Sequence, residues 1–100
     1  MELINAVAKA RFNATKPQRI HLHRSPKTRI CMLCFEPGQK LQAKPGDIAY
    51  YVISGKLTIS ADGSDRSVPA GQLVSFMQET THQLLNDPDR RAICLEIAPS

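Results

Sequence analysis

Two strand-rich blocks of the sequence constrain the fold more than any other feature. Residues 37–55, PGQKLQAKPGDIAYYVISG, and residues 71–86, GQLVSFMQETTHQLLN, each open at a glycine turn and continue into apolar, β-branched and aromatic residues. Between them, Asp62-Gly63 predicts a tight hairpin, because both central positions of a type I′ turn need positive φ. The blocks therefore predict the two halves of a small β-barrel.

The rest of the chain adds strands of similar length. Residues 28–35 are almost continuously apolar and predict a strand that is buried on both faces. Turn signals recur at intervals of about 8 to 12 residues, which is typical of an all-β sandwich or barrel. About eight strands are predicted, at residues 20–23, 28–35, 48–53, 56–60, 66–68, 73–77, 82–85 and 92–97. Their two-block arrangement favours a jelly roll.

A length of 100 residues fits a single domain. Residues 1–17 are predicted to form an N-terminal arm, which is irregular or carries a short helix, and residues 18–100 the barrel. We expect no signal peptide, because the start lacks a basic region followed by an apolar run and a small-residue cleavage site. An odd count of three cysteines fits reduced thiols, so a cytoplasmic location is expected.

The net charge of +4 is concentrated near the N-terminus. Residues 1–30 contain seven lysines and arginines and a single acid, Glu2. A basic face can attract nucleic acid, but neither a recognition helix nor interleaved aromatic and basic residues accompany the charge. We therefore predict a solvated basic edge, with neither nucleic acid nor a membrane as partner.

The two blocks resemble the sequence motifs of small single-domain cupins. The first cupin motif is G-x5-H-x-H-x3/4-E-x6-G and the second is G-x5-P-x-G-x2-H-x3-N. Gly55 closes the first motif, and Gly71, His82 and Asn86 match the second at the correct spacing. The resemblance covers residues 18–99 and implies an RmlC-like double-stranded β-helix of the cupin 2 type.

The first motif has lost its metal ligands. Ile48 stands in place of the glutamate, and the histidine pair falls on Gln42 and Lys44 with the shorter spacer or on Leu41 and Ala43 with the longer one. An ammonium repels a cation and an aliphatic group has no lone pair, whereas iron, manganese or nickel needs several converging ligands.

The sequence therefore predicts no cofactor, because the resemblance implies three histidines and a carboxylate and this chain keeps only His82. The alternative is a divalent metal (iron, nickel, manganese or zinc) held weakly, with His82 as its candidate ligand. A lone histidine is also compatible with a residual side chain that is hydrogen-bonded to a neighbour such as Gln42.

Gln42 and Lys44 are predicted to share one face of a strand, because they are two residues apart. A lysine facing a barrel lumen is costly unless it pairs with an anion. We therefore predict a pocket for a small carboxylate, phosphate or sugar acid. In the alternative, Lys44 lies at the mouth and extends into water.

Aromatic residues are expected to complete the ligand-binding pocket. Tyr50 has the same parity as Ile48 and should line the same face, whereas Tyr51 should point to the opposite one. Either tyrosine hydroxyl could orient a ligand, although packing with a solvated tip is the more ordinary role. Phe76 and Met77 are predicted to form an apolar wall.

Two short motifs are interpreted as structural. His21 and His23 have chelating H-x-H spacing on one predicted strand face, but two further zinc ligands cannot be assigned, so an exposed polar stripe is favoured. Cys31 and Cys34 form a C-x-x-C on a strand, where positions three apart face opposite sides. They are predicted to be core thiols, as is Cys94.

Three functions follow as alternatives. The first is a metal-free barrel that binds a small polar or anionic ligand through His82, Lys44, Gln42 and a tyrosine. The second is an enzyme, either an isomerase or lyase with His82 as general base or a metal-dependent dioxygenase. A general base needs a partner that orients it, and no acid is evident nearby, so a non-enzymatic role is favoured.

The third alternative is a dimeric structural or regulatory module. The resemblance implies a homodimer that forms through an outer sheet face. The apolar residues 30–35 and the outward-facing positions of residues 49–53 would suit this interface.

Overall fold

A computed structural model describes residues 1–77 and 80–100. These residues contain one 3₁₀ turn, Val7–Lys9, and nine strands. No helix in this part of the chain has the length and apolar character needed to cross a bilayer. The strands are β1 (Gln18–Arg24), β2 (Thr28–Phe35), β3 (Lys40–Ala43), β4 (Ile48–Ser54), β5 (Lys56–Ala61), β6 (Ser64–Pro69), β7 (Leu73–Phe76), β8 (His82–Asn86) and β9 (Ala92–Pro99).

The strands form two antiparallel sheets. The large sheet has the order β1-β2-β9-β4-β7, and the small sheet has the order β3-β8-β5-β6. This all-β arrangement confirms the predicted jelly-roll class. Strand β3 was not among the eight predicted strands, because a four-residue segment with the sequence KLQA lacks the β-branched and aromatic residues that mark strands.

The main core lies between the two sheets. Leu33 and Phe35 of β2 and Val52 of β4 face Leu57 and Leu84 of the small sheet, and all five are almost completely buried. The predicted burial of β2 on both faces is confirmed, since residues 31–35 are at most 1% exposed.

The N-terminal arm explains why the outer face of β2 is also buried. Ala6 and Phe12 pack against Met32, Cys34 and other apolar residues on the outer face of the large sheet. The guanidinium of Arg91 lies 4.2 Å from the centre of the Phe12 ring, in cation–π geometry. Only one 3₁₀ turn forms, which is consistent with a segment too short to sustain an α-helix.

Two turns depend on residues with positive φ. Asp62 and Gly63 have φ of 51° and 76°, which confirms the predicted hairpin turn between β5 and β6. Gly55, between β4 and β5, has φ of 73°, and a Cβ at this position would lie 2.6 Å from the carbonyl oxygen of Arg91. The chain therefore requires glycine at the end of the first sequence block.

Asn86, at the end of the second block, fixes the connection between β8 and β9. Its Nδ2 donates to the carbonyl oxygens of Glu36, at 3.0 Å, and Arg90, at 2.6 Å. The side chain is 1% exposed. This matched motif residue therefore holds loops together at one end of the barrel.

Candidate ligand-binding site

A pocket of about 660 Å³ opens between β1 of the large sheet and β3 of the small sheet. Both are edge strands of their sheets, so the barrel is open to solvent along this side. The volume lies within the usual range of small-molecule sites, about 300 to 1,000 Å³. Its described lining combines six apolar and six charged side chains, with Arg19, Arg24, Arg29 and Lys44 as the cations and Asp47 and Glu96 as the anions.

Glu96 is a carboxylate buried at the inner end of this pocket. It lies on β9, and its side chain is 2% exposed. Arg19 donates to its Oε2 at 2.9 Å and Arg29 donates to its Oε1 at 2.7 Å. The hydrogen bond to Glu96 is the main cause that raises the pKa of Arg29 above the usual range of a guanidinium. These bonds occupy one terminal nitrogen of each guanidinium, so other donors of both arginines can serve a ligand.

His21 lies on the same side of the large sheet as this charged cluster. Its Nδ1 is 3.3 Å from Sγ of Cys31, which is its cross-strand neighbour. A bulge in β1 then changes the register, so that His23 lies opposite Ile30 and on the other face of the sheet. The predicted common face of the two histidines is therefore wrong, because the bulge breaks the alternation.

Gln42 and Lys44 lie at the mouth of the pocket and do not face the barrel core. Leu41 and Ala43 have the inward parity and pack into the main core. Gln42 is exposed, and its Nε2 donates to the carbonyl oxygen of His82 at 3.3 Å. The predicted lumen-facing placement is thus corrected to a placement at the rim, where both residues still line the pocket. Their role in ligand binding stays a prediction.

His82 is enclosed in the barrel and not part of the described pocket lining. Its Nδ1 is 3.1 Å from the carbonyl oxygen of Thr80, which can only accept, so Nδ1 carries the proton. Its Nε2 then accepts from the hydroxyl of Tyr50 at 2.7 Å. Phe76 stacks on the imidazole with ring centres 4.1 Å apart, and the histidine is 1% exposed.

Tyr50 is completely buried, and burial is the main cause that raises the pKa of its hydroxyl well above 10.0. The group therefore stays protonated and donates to His82. Tyr51 is 38% exposed, which confirms that the two tyrosines face opposite sides.

Ile48 packs against the main core, as its parity predicted. Met77 is 81% exposed, so the wall predicted for it is wrong because β7 ends at Phe76.

The three thiols occupy the core, as predicted. Cys31 and Cys34 face opposite sides of β2, the former toward His21 and the latter toward the N-terminal arm. Burial raises the pKa of both Cys34 and Cys94. All three cysteines are free.

Two antiparallel sheets that face each other across one core define a double-stranded β-helix, the architecture of RmlC-like barrels. The family comparison identifies it further: the Cupin_2 family model, described as a cupin domain, matches residues 31–98. The chain belongs to the cupin family. A search of the curated proteins finds no match.

Solved structures with the same fold cover nearly the whole chain. TT1209 from Thermus thermophilus has a TM-score of 0.91 at 20% identity and covers 99% of this chain and 98% of its own. An RmlC-like cupin from Desulfovibrio desulfuricans has a TM-score of 0.82 at 22% identity, with 98% and 96% covered. A candidate mannose-6-phosphate isomerase from Ralstonia eutropha has a TM-score of 0.81 at 16% identity, with 100% and 99% covered.

The residues at the cupin metal positions do not fit a divalent ion. Leu41, Ala43 and Ile48 take the inward-facing positions and have no donor atoms, and both nitrogens of His82 are already hydrogen-bonded. The described residues contain no group of three histidines, cysteines, aspartates or glutamates that could hold a metal. We therefore derive no step through such an ion.

Sequence reasoning missed the arginines of β1 and β2 and the carboxylate that they hold. A signal was present: Arg19 and His21 share a parity on β1, and Glu96 is a single acid inside the apolar run of residues 92–98. A buried acid within such a run implies a cationic partner, because an unpaired charge is too costly to bury.

Proposed function

We propose that the chain is a metal-free cupin that binds a small organic anion at the pocket between β1 and β3. The observation that carries this proposal is the charge of the described lining, in which four cations face two anions. An excess of two positive charges in a concave site attracts anions and raises their local concentration. The cupin fold itself supports the binding of small molecules.

The arginines are suited to this role because they are already oriented. Each guanidinium is held by Glu96 and presents its remaining donors in a fixed plane. A planar fork of this kind matches carboxylate and phosphate oxygens. Since Arg19 and Arg29 have side chains that are 43% and 27% exposed, a ligand can reach them from solvent.

The enclosed histidine makes the enzymatic alternative less favourable. A general base must come within hydrogen-bond reach of its substrate, but His82 is 1% exposed and its acceptor nitrogen is bonded to Tyr50. The isomerase name belongs to a neighbour at 16% identity, which supports the fold alone. We therefore assign His82, Tyr50 and Phe76 to the structure of the barrel and the ligand contacts to the pocket, whose described lining includes Ile48.

The decisive test is Arg19→Gln, measured by isothermal titration calorimetry with acetate, succinate and inorganic phosphate. We expect the variant to weaken anion binding about tenfold, because a charged hydrogen bond is lost while glutamine can still donate to Glu96. Arg66→Gln, on exposed β6, is the matched control and should bind as the wild type does. Absence of binding to every anion, or equal affinities of the two variants, would overturn the proposal.

Lys44→Met tests the rim of the pocket. The control is Lys40→Met, at the start of β3, the strand that Lys44 follows. Both lysines are exposed, but only Lys44 belongs to the described lining. We expect Lys44→Met to weaken anion binding about threefold, as for an exposed ion pair, and Lys40→Met to have no effect. Equal effects would remove Lys44 from the site.

We also propose a second copy of the chain as partner on the outer face of the large sheet. Tyr51 and Leu73 are cross-strand neighbours there and are 38% and 58% exposed. The N-terminal arm already covers Met32 and Cys34, so the interface would involve β4 and β7 more than residues 30–35. Leu73→Glu should convert a dimer to a monomer in light scattering, whereas Leu85→Glu on the small sheet should not. A wild-type monomer would refute this.

The free thiols support a reducing compartment, and we propose the cytoplasm.

A further inference from the structure

We infer that the anion bound in the pocket is a linear dicarboxylate, with one carboxylate at the buried end and the other at the rim. This inference rests on the proposed anion site and specifies its ligand. Three features of the lining support it: cations both around the buried carboxylate of Glu96 and at the opening, one excess positive charge at each place, and an apolar surface on the same walls.

The buried set consists of Arg19, Arg29 and Glu96. Two guanidiniums share one carboxylate, so this end of the pocket has one positive charge in excess. The glutamate side chain is 2% exposed, which places its carboxylate at the closed end, and Arg19 and Arg29, at 43% and 27% exposed, extend from it toward solvent. One incoming carboxylate would balance the remaining charge and accept hydrogen bonds from donors that Glu96 does not use.

The rim set consists of Arg24, Lys44 and Asp47, all exposed or half-buried at the opening. Arg24 is the last residue of β1, whereas Lys44 and Asp47 belong to the connection between β3 and β4. Again two cations face one anion, which leaves one positive charge for a second carboxylate. Because Arg24 ends β1 and Lys44 and Asp47 follow β3, the residues come from both strands that border the pocket. The second carboxylate would therefore be held between them at the opening.

Apolar residues on the same walls fit a hydrocarbon spacer between the two carboxylates. The apolar lining comprises Leu41, Ala43, Pro45, Ile48, Ala98 and Pro99. A compact oxyanion such as phosphate would leave this surface in contact with water. A sugar would need several polar partners besides the charged groups, whereas His21 and Gln42 are the other polar side chains in the described lining.

The experiment measures calorimetric affinities for malonate, succinate, glutarate and adipate. The comparison ligands are propionate, butyrate, valerate and hexanoate, which have the same chain lengths, and inorganic phosphate. We expect one dicarboxylate to bind about fivefold more tightly than its matched monocarboxylate, since the second carboxylate makes an exposed ionic contact. Affinity should peak at one chain length, because only one spacing matches both sets of cations.

The double variant Arg24→Gln/Lys44→Met should remove the advantage of the best dicarboxylate over its matched monocarboxylate, because it should weaken the dicarboxylate about fivefold more than the monocarboxylate. Arg66→Gln/Lys40→Met removes the same charges outside the described lining and should change neither value. If monocarboxylates or phosphate bind as tightly as every dicarboxylate, this inference fails and the anion site stands. If no anion binds, both fail.

Discussion

Among the buried polar side chains of the described residues, His82 and Glu96 differ in their surroundings. His82 and Glu96 are both 1% exposed. Neutral partners satisfy His82, namely the Tyr50 hydroxyl and a backbone carbonyl, within an aromatic enclosure. Charged partners satisfy Glu96, and their side chains extend into a pocket that is open to solvent.

The difference shows which buried polar group remains available for function. A neutral pair whose donors and acceptors are all matched has nothing left to offer a ligand. A carboxylate held by two arginines leaves several N–H donors unused, because a guanidinium has five of them. In this cupin, the histidine that matches the family motif stabilises the barrel, and arginines outside both motifs hold the buried carboxylate of the proposed binding site.

The largest effect is expected where the charged cluster loses a partner. Arg29→Met should lower the free energy of unfolding by about 3 kcal/mol, because it leaves Glu96 buried with one cation. Urea denaturation measures this, with Arg24→Met as control, since Arg24 lines the same pocket and is exposed. A loss no greater than that of the control would show that Arg19 alone compensates Glu96.

A smaller effect is expected at the neutral pair. Tyr50→Phe should cost about 2 kcal/mol of unfolding free energy, because Nε2 of His82 loses its donor in a buried site. Tyr51→Phe removes the same hydroxyl from an exposed position and should be nearly silent. If the two variants are equally stable, water must replace the lost hydroxyl and the enclosure is not closed.

The buried thiol of Cys94 should make the fold sensitive to alkali. Burial, followed by the charge of Glu96, raises its pKa above 9.0 in the folded state. The stabilisation is therefore complete below pH 9.0 and is lost at higher pH, where only the unfolded chain releases the proton. Unfolding free energy should fall by about 1.4 kcal/mol per pH unit for this group.

Cys94→Ala should make that decline shallower between about pH 9 and pH 11 in urea denaturation, after allowance for the constant cost of the smaller side chain. An unchanged slope would mean that Tyr50 and Cys34, whose pKa values are also raised, cause the whole decline.

The smallest effect is expected at an exposed ion pair, which serves as the reference for the stability effect of the buried charged cluster. Lys56 and Asp87 are 3.4 Å apart and have side chains that are 49% and 31% exposed. Lys56→Met should change the unfolding free energy by less than about 0.5 kcal/mol in the same denaturation experiment. A loss as large as that of Arg29→Met would remove the distinction between buried and exposed charge in this protein.

The fold could be predicted because local signals specify it. The signals are the Asp62-Gly63 turn, the obligatory Gly55 and the apolar β2 strand. The first two fix the backbone conformation of turns, and the apolar composition of the third indicates its burial directly. Gln42 and Lys44 were predicted to face the lumen, with the mouth as the alternative for Lys44, and the structure places both at the rim of a pocket. Their orientation was wrong because alternation gives two possible parities and does not say which one faces the core.

The arginine partners of Glu96 were missed for a related reason. On β1 the apolar residues Ile20 and Leu22 face outward, where they join the surface packed by the N-terminal arm, and Arg19 faces inward. Apolar residues on a strand are ordinarily assigned to the inside. Only the three-dimensional structure shows that the arm provides a second apolar layer.

Arg19 and Arg29 already have a counter-ion within the protein, the carboxylate of Glu96. The buried carboxylate of Glu96 is already paired in the protein on its own, so the fold does not depend on a bound ligand to compensate it. A bound anion must share Arg19 and Arg29 with Glu96, and such sharing favours modest affinity and rapid exchange over tight binding.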